Sequence, residues 1–285
     1  MNTVRVNAHA KLNLTLDLCG KRGEYHLIDS LVTTVDLYDR IVVKRRKDNL
    51  VKVTMHGMGS ESIPPERNNA QRAGERFISA FSTCGADITV YKNIPMGAGL
   101  GGSSADTAGV LNALSKLYGI SDTAAIKALA DELGSDTGYL LTGGFARLLG
   151  RGEIVKTLDG VPNLHFFLLC PKSGVSTGEC YQKSDELKAE PPRSERALEL
   201  LSSGCTEWAA KLFSNDLYPA AKSLNPEVEE AYRELLSFSP LGVSMTGSGS
   251  GVYAVFETRE LCEWAKSRYR GKFRTYILKA TEIQS

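Results

Sequence analysis

Apolar and polar residues alternate from Val4 to Leu18 and again from Leu31 to Arg45, the period of two that marks half-buried strands. The spacing then changes. Ala70, Ala73, Phe77 and Phe81 fall on one stripe of a helix predicted over residues 69–82. A short strand, Ile88 to Tyr91, runs into a glycine-rich segment, and helices are predicted over 106–118 and 123–133. Phe145–Leu149 and Ile154–Thr157 read as a hairpin around Gly150-Arg151-Gly152, and Leu164–Cys170 as a strongly apolar strand. Residues 188–194, with Pro191-Pro192, read as a loop. Helices follow at 196–201, 207–213, 226–236 and 260–269, and a strand at 275–278 closes the chain. A strand-rich start, a helical middle and a mixed end predict an α+β fold, not a doubly wound sheet.

Composition narrows the function classes. The 285 residues suffice for one large domain or two modest ones, and 42% apolar content supports a core. With 34 basic and 33 acidic residues, no global basic field points to nucleic acid. The six cysteines form no C-x-x-C pair, which fits reduced thiols in a cytoplasmic protein. The four histidines are too dispersed for a local metal motif, so no metal-ligand set is assigned. No apolar run approaches the roughly 18 residues of a membrane span, and the N-terminus carries no charged-then-apolar leader pattern.

The most informative stretch is Pro95-Met96-Gly97-Ala98-Gly99-Leu100-Gly101-Gly102-Ser103-Ser104-Ala105-Asp106. Glycines crowd a turn, two hydroxyls follow, and a helix begins. Such a loop lets backbone N–H groups approach an anion, while the helix aims its positive end at the same point. The alternative is a flexible surface loop, but flexible loops do not usually lie between a strand and an apolar-periodic helix. No lysine follows Gly102, so this is not the common G-x-x-x-x-G-K-[ST] loop. Nor does a strand–turn–helix unit with a ribose-binding acid follow cleanly, as dinucleotide binding requires.

Pro95-x-x-x-Gly99-Leu100-Gly101-Gly102-Ser103-Ser104 resembles the second motif of the GHMP small-molecule kinases. Two further segments resemble that family's motifs, in the family's order: Ala8-His9-Ala10-Lys11-Leu12-Asn13-Leu14-Thr15-Leu16, and the glycine-rich run from Gly242 to Phe256. Lys21-Arg22-Gly23-Glu24-Tyr25-His26-Leu27 and Asp36-Leu37-Tyr38-Asp39 are similar to the branch that phosphorylates diphosphocytidyl-methylerythritol. The resemblance runs from Ala10 to Phe256. It departs at Thr137-Gly138, where the family usually has Val-Pro and aromatics, and at Ala105, where a hydroxyl is expected.

The resemblance implies two domains, about residues 1–150 and 151–285. The first would be of the ribosomal-protein-S5-like type and the second ferredoxin-like, with the site in the cleft between them. It implies ATP with Mg²⁺ and a small substrate carrying a cytidine diphosphate moiety, handled by a monomer or weak homodimer with no nucleic-acid or membrane partner. Lys11 and Asp136 would be the catalytic pair. From its own neighbours, Ser135 and Gly138, Asp136 reads rather as a turn or cap residue, and the resemblance reverses that preference. Residues 95–106 and Lys92 would hold the nucleotide, although Lys92 alone reads as a solvated strand end. Asp106 is either an acid satisfied by the helix dipole or a contact to ligand or magnesium. Tyr25, His26 and Tyr181 would hold the base, with Asn13 and Thr177 as further substrate contacts. Tyr181 could also be ordinary core and His26 a surface strand residue. Lys11 and Asn13, two apart, share one strand face. The alternatives are a kinase of another small alcohol, homoserine- or mevalonate-like, and a non-catalytic nucleotide-binding protein on the same fold.

Overall fold

The computed structural model describes residues 2–57, 68–187 and 190–283. In chain order its elements are β1 (Thr3–Asn13), β2 (Thr15–Arg22), β3 (Tyr25–Arg45), β4 (Val51–Gly57), α1 (Asn69–Phe81), β5 (Ala86–Lys92), α2 (Gly102–Tyr118), α3 (Thr123–Leu133) and α4 (Thr137–Leu140). Then come β6 (Phe145–Gly150), β7 (Ile154–Thr157), β8 (His165–Cys170), α5 (Thr177–Ser184), α6 (Ser194–Ser202), α7 (Thr206–Ala210) and β9 (Ser214–Asn215). The chain ends with α8 (Tyr218–Leu224), α9 (Pro226–Leu236), β10 (Gly242–Met245), β11 (Val252–Phe256), α10 (Arg259–Arg268) and β12 (Arg274–Lys279).

The alternating run predicted to begin at Leu31 extends back to Tyr25, giving a strand of 21 residues. This β3 pairs with β1, β2, β5 and β6, so it is the spine of an eight-stranded sheet. That sheet also takes in β4, β7 and β9. The α+β expectation holds. The smaller sheet has the order β10-β11-β8-β12, all antiparallel. With α8 and α9 before β10 and α10 before β12, this is the ferredoxin-like β-α-β-β-α-β arrangement.

One predicted strand divides in two. The run from Val4 to Leu18 breaks at Leu14, whose N–H donates to the Leu31 carbonyl at 2.7 Å. The buried Tyr253 hydroxyl of β11 donates to the carbonyls of Asn13 (2.8 Å) and Leu14 (3.3 Å). A side chain from the smaller sheet thus satisfies the backbone at the break. Helix α2 starts at Gly102 instead of Asp106, which moves Asp106 into the helix interior. Helix α7 ends at Ala210, short of the predicted Phe213. Ser194, placed in the Pro-rich loop by sequence, opens α6, while residues 188–189 of that loop lie outside the described residues. The sequence pattern also left β4, α4, α5, α8 and β9 unread.

Helix α1 shows the predicted stripe: Ala70, Ala73 and Phe77 are buried. Asn68 caps it, its side chain accepting from the N–H groups of Ala70 (3.0 Å) and Gln71 (3.3 Å). Helix α2 is buried on most sides and packs on β1 and β3. A Cβ at Gly109 would lie 2.9 Å from Ile41 Cγ1 and 3.0 Å from Ala8 Cβ. Only glycine allows that approach, which presses the α2 N-terminus close to the sheet. No helix among the described residues is long and apolar enough to cross a membrane.

Removing the Tyr253 hydroxyl leaves the backbone at the strand break short of donors in a buried place. Tyr253→Phe is expected to lower the unfolding free energy by about 1–2 kcal/mol. Urea unfolding checks this, with an unchanged m-value showing that only stability has moved.

Candidate active site

The glycine-rich segment between β5 and α2 is held by its carbonyls. The Gly97 carbonyl accepts from Ser250 N (3.0 Å), Ala98 from Gly251 N (3.2 Å) and Leu100 from Lys11 N (3.0 Å). Gly99 O accepts from the Thr246 hydroxyl at 3.2 Å, and Gly101 O from Ala105 N at 2.8 Å. Every carbonyl from residue 97 to 101 is thereby occupied on the far side of the loop. The N–H groups of the same residues have no acceptor among the described residues. The first-turn N–H groups of α2 continue the row, because a helix start has no intrahelical acceptors. The alternation depends on Gly97, Gly99 and Gly101, all near φ +70°. A Cβ at Gly99 would stand 2.0 Å from the Thr246 carbonyl. The loop lines a cavity of about 500 Å³ together with Asn69, Lys92, Asp106 and Thr177. Among residues 95–106, Ala105 is the one that does not line this cavity.

Lys92 is not a solvated strand end. It is 5% exposed and its ammonium donates to Asp39 Oδ2 and, at 2.6 Å, to Asp106 Oδ2. Asp39 Oδ1 accepts from Asn93 N (2.5 Å) and Ile94 N (2.9 Å), so it also pins the backbone entering the glycine loop. Burial opposes the Lys92 charge, but the two carboxylates outweigh it and raise its pKa. Burial pushes Asp106 up to about 7, Lys92 pulling against that and Asp39 adding to it. Asp106 is therefore not a dipole-satisfied acid at the helix start. Its Oδ1 is buried and has no partner.

Lys11 follows a register shift in the β1–β3 ladder, between His9 and Lys11. It shares a face with Asn13, as the period of two predicts, and donates to Asn13 Oδ1 at 2.6 Å. Lys11 is 4% exposed and lies 3.4 Å from Asp136 Oδ2. Asp136 precedes α4 but makes no cap hydrogen bond, so its carboxylate faces Lys11. At Gly138, where the family pattern is departed from, the nearest atom to an added Cβ belongs to the mobile end of the exposed Asp131 side chain. A Cβ there would meet Asp131 Oδ1 at 2.3 Å. Asn13 is buried and fully engaged: its amide donates to Ser30 Oγ (2.8 Å), and its oxygen also accepts from Gly247 N (2.9 Å). It joins Lys11 to the second glycine loop, residues 246–251.

At the other end lies α5. Thr177, Tyr181 and Asp185 are spaced four apart, on one face. The Thr177 hydroxyl is 2.9 Å from Ser248 Oγ, next to the glycine loops. The Tyr181 ring is 5.0 Å from the His26 ring, and burial with the Asp136 charge holds its phenol protonated far above the usual range. His26 Nε2 is 2.7 Å from Asp185 Oδ1. Tyr25 is 58% exposed, with the Arg151 guanidinium 4.2 Å above its ring. A further cavity of about 590 Å³ opens beside His26, lined by Lys21, Asp185, Asn215, Tyr218 and Met245.

Residues 68–146 match the pattern of GHMP kinases N-terminal domains, and residues 195–270 that of GHMP kinases C-terminal domains. The 4-diphosphocytidyl-2-C-methyl-D-erythritol kinase of Desulfitobacterium hafniense is 36% identical over 278 residues, covering 94% of each chain. The chain belongs to the GHMP kinase family. The crystal structure of a 4-(cytidine 5'-diphospho)-2C-methyl-D-erythritol kinase superposes with a TM-score of 0.81 at 29% identity, covering 98% of this chain and all of that one. Homoserine kinase from Cytophaga hutchinsonii shares the fold, with a TM-score of 0.74 at 19% identity over all of this chain and 96% of that one. Within this GHMP kinase, the glycine loop meets Lys11, Lys92, Asp106 and Thr177, while Tyr181 meets His26. Tyr25 stands apart, against Arg151. Asp39, Ser248 and Arg151 fall within segments the sequence singles out but have no role of their own there, and Asp185 carries no sequence signal.

Lys92 is the only ammonium bonded to Asp39 and Asp106 among the described residues. Lys92→Met would leave two buried carboxylates facing each other, and a loss of about 3–5 kcal/mol is expected. The loss should be larger at pH 8 than at pH 5, because protonation relieves the repulsion as pH falls. Urea unfolding of both proteins at the two pH values checks the size and the sign.

Proposed function

We propose that this chain transfers the terminal phosphoryl group of ATP to the 2-hydroxyl of 4-diphosphocytidyl-2-C-methyl-D-erythritol, with Mg²⁺ as the accompanying ion. The observation that carries the proposal is the place of the Lys11–Asp136 pair. The Lys11 stem runs beside Gly101, where a Cβ would be 3.1 Å from Lys11 Cγ. The Asp136 charge is felt by Tyr181, next to His26. One cation–carboxylate unit therefore lies beside the glycine loop, with its charge acting on Tyr181, whose ring packs on His26.

Phosphoryl transfer needs positioning and charge stabilisation more than covalent chemistry. Asp136 accepts the proton of the substrate hydroxyl as that oxygen bonds to the γ-phosphorus and the bond to the ADP oxygen breaks. Lys11 stabilises the negative charge that develops on the attacking oxygen. The free N–H groups of residues 97–101 bind phosphate oxygens. The site suits an ion that keeps much of its water. Asp106 offers one unpartnered carboxylate oxygen beside the cradle, and no cluster of three ligating side chains exists among the described residues. Asp106 with Ser104 would hold Mg²⁺, which when bound neutralises phosphate charge. His26 and Tyr181 hold the cytosine, and Tyr25 closes over its other face. Thr177, near the glycine loops, serves the diphosphate end. Asn13 acts through Lys11, which it fixes. The enzyme works in the cytoplasm as a monomer or weak homodimer.

Purified protein is expected to consume ATP with 4-diphosphocytidyl-2-C-methyl-D-erythritol and not with homoserine or mevalonate. Asp136→Asn should lower kcat by about 10²–10⁴-fold with ATP binding unchanged by calorimetry. Turnover of a control alcohol in preference to the cytidine substrate would overturn the proposal.

A further inference from the structure

Asp185 lies just past the end of α5, one helical turn beyond Tyr181. Its carboxylate spans two residues of the β2–β3 hairpin. Oδ2 is 2.5 Å from Lys21 Nζ, and Oδ1 is 2.7 Å from His26 Nε2. Lys21 and His26 are direct partners in the antiparallel ladder, so their side chains rise from the same face and one carboxylate can reach both. His26 is the more enclosed of the pair, 12% exposed against 43% for Lys21.

We propose that Asp185 is a positioning residue that fixes the tautomer of His26 and so sets the preference for cytosine over uracil. The role rests on the proposed contact between His26 and the base. An ionised carboxylate can only accept hydrogen bonds. The bonds from Lys21 and His26 hold Asp185 below the usual carboxylate range, so it is ionised at neutral pH. Nε2 of His26 must then carry the hydrogen, and in the neutral ring Nδ1 keeps its lone pair. No group among the described residues donates to that nitrogen. Cytosine presents an amine donor at C4, where uracil presents an oxygen acceptor. An Nδ1 lone pair satisfies the first and opposes the second, and a mismatch of that kind costs more than a missing contact. The Tyr181 ring, 5.0 Å from the His26 ring, limits how the imidazole can turn. Because Tyr181 and Asp185 are spaced one turn apart on one face, the segment whose ring packs against the imidazole also sets its proton.

The test compares CDP with UDP, by calorimetry on the wild-type chain and on Asp185→Ala and Asp185→Glu, beside nitrogen NMR of the His26 ring. Wild type is expected to hold the Nε2–H tautomer and to prefer CDP. Asp185→Ala should erode that preference by about tenfold, the weight of one hydrogen bond, and Asp185→Glu should restore part of it. In turnover, Asp185→Ala should raise KM for the cytidine substrate with kcat within about twofold of wild type, as loss of uniform binding does. Thermal unfolding should not move, since Asp185 is 37% exposed. An Nδ1–H tautomer in wild type, or an unaltered CDP-to-UDP ratio in Asp185→Ala, overturns this role. A wild-type chain that binds neither nucleotide overturns the cytidine reading itself, and this role with it.

Discussion

A backbone can present N–H groups to an anion only if its carbonyls are satisfied somewhere else, and the rest of this site is arranged around that requirement. The loop at residues 97–101 meets it by lying backbone to backbone on the loop at 246–251, with Lys11 N and the start of α2 taking the remaining carbonyls. Contact this close excludes side chains, which is why Gly99 cannot carry a Cβ. The two loops are joined across 147 positions of sequence, so the cradle exists only when the two sheets are docked. Tyr253 and Asn13 make that docking specific, since each reaches from one sheet to the backbone or loop of the other.

A second constraint lies beneath the first. Asp39, Lys92 and Asp106 form a buried charged cluster whose carboxylates outnumber its ammonium. Such a cluster is costly to bury and is weak evidence of stability. Its geometry points to placement: Asp39 fixes the N–H groups of Asn93 and Ile94 at the entry to the loop, and Asp106 leaves one oxygen unsatisfied within α2. Asp106 lies beyond the first turn of α2, where the helix dipole has largely faded, so Lys92 is left to offset the two carboxylates.

Much of this was legible in the sequence, and the failures are instructive. Glycine spacing marked the cradle because positive φ leaves a direct imprint on residue choice. Lys11 and Asn13 could be placed on one face because the strand period is strict. The burial of Lys92 leaves no mark on its own segment, because its partners are Asp39, from another strand, and Asp106, one helical turn into α2. No local pattern distinguishes a buried paired lysine from a solvated one. The break at Leu14 was invisible for a similar reason. Leu12, Leu14 and Leu16 keep the alternation, and the interruption comes from Tyr253 on the other sheet. Asp185 gave no signal because its meaning lies in a hairpin register that pairs Lys21 with His26.

Helix α5 joins these parts. It has only eight residues, yet its one face touches the glycine loops through Thr177, the imidazole through Tyr181 and the hairpin through Asp185. At about 1.5 Å of rise per residue, the eight steps from Thr177 to Asp185 cover roughly 12 Å. A substrate held at both ends of that face would have its reacting group placed by the helix's length and not by contacts to the group itself. Lys11, held by Asn13, then needs only to face Asp136 across the 3.4 Å that separates them. Under the proposed function, recognition of the base and chemistry at the hydroxyl would fall to different elements joined by one short helix.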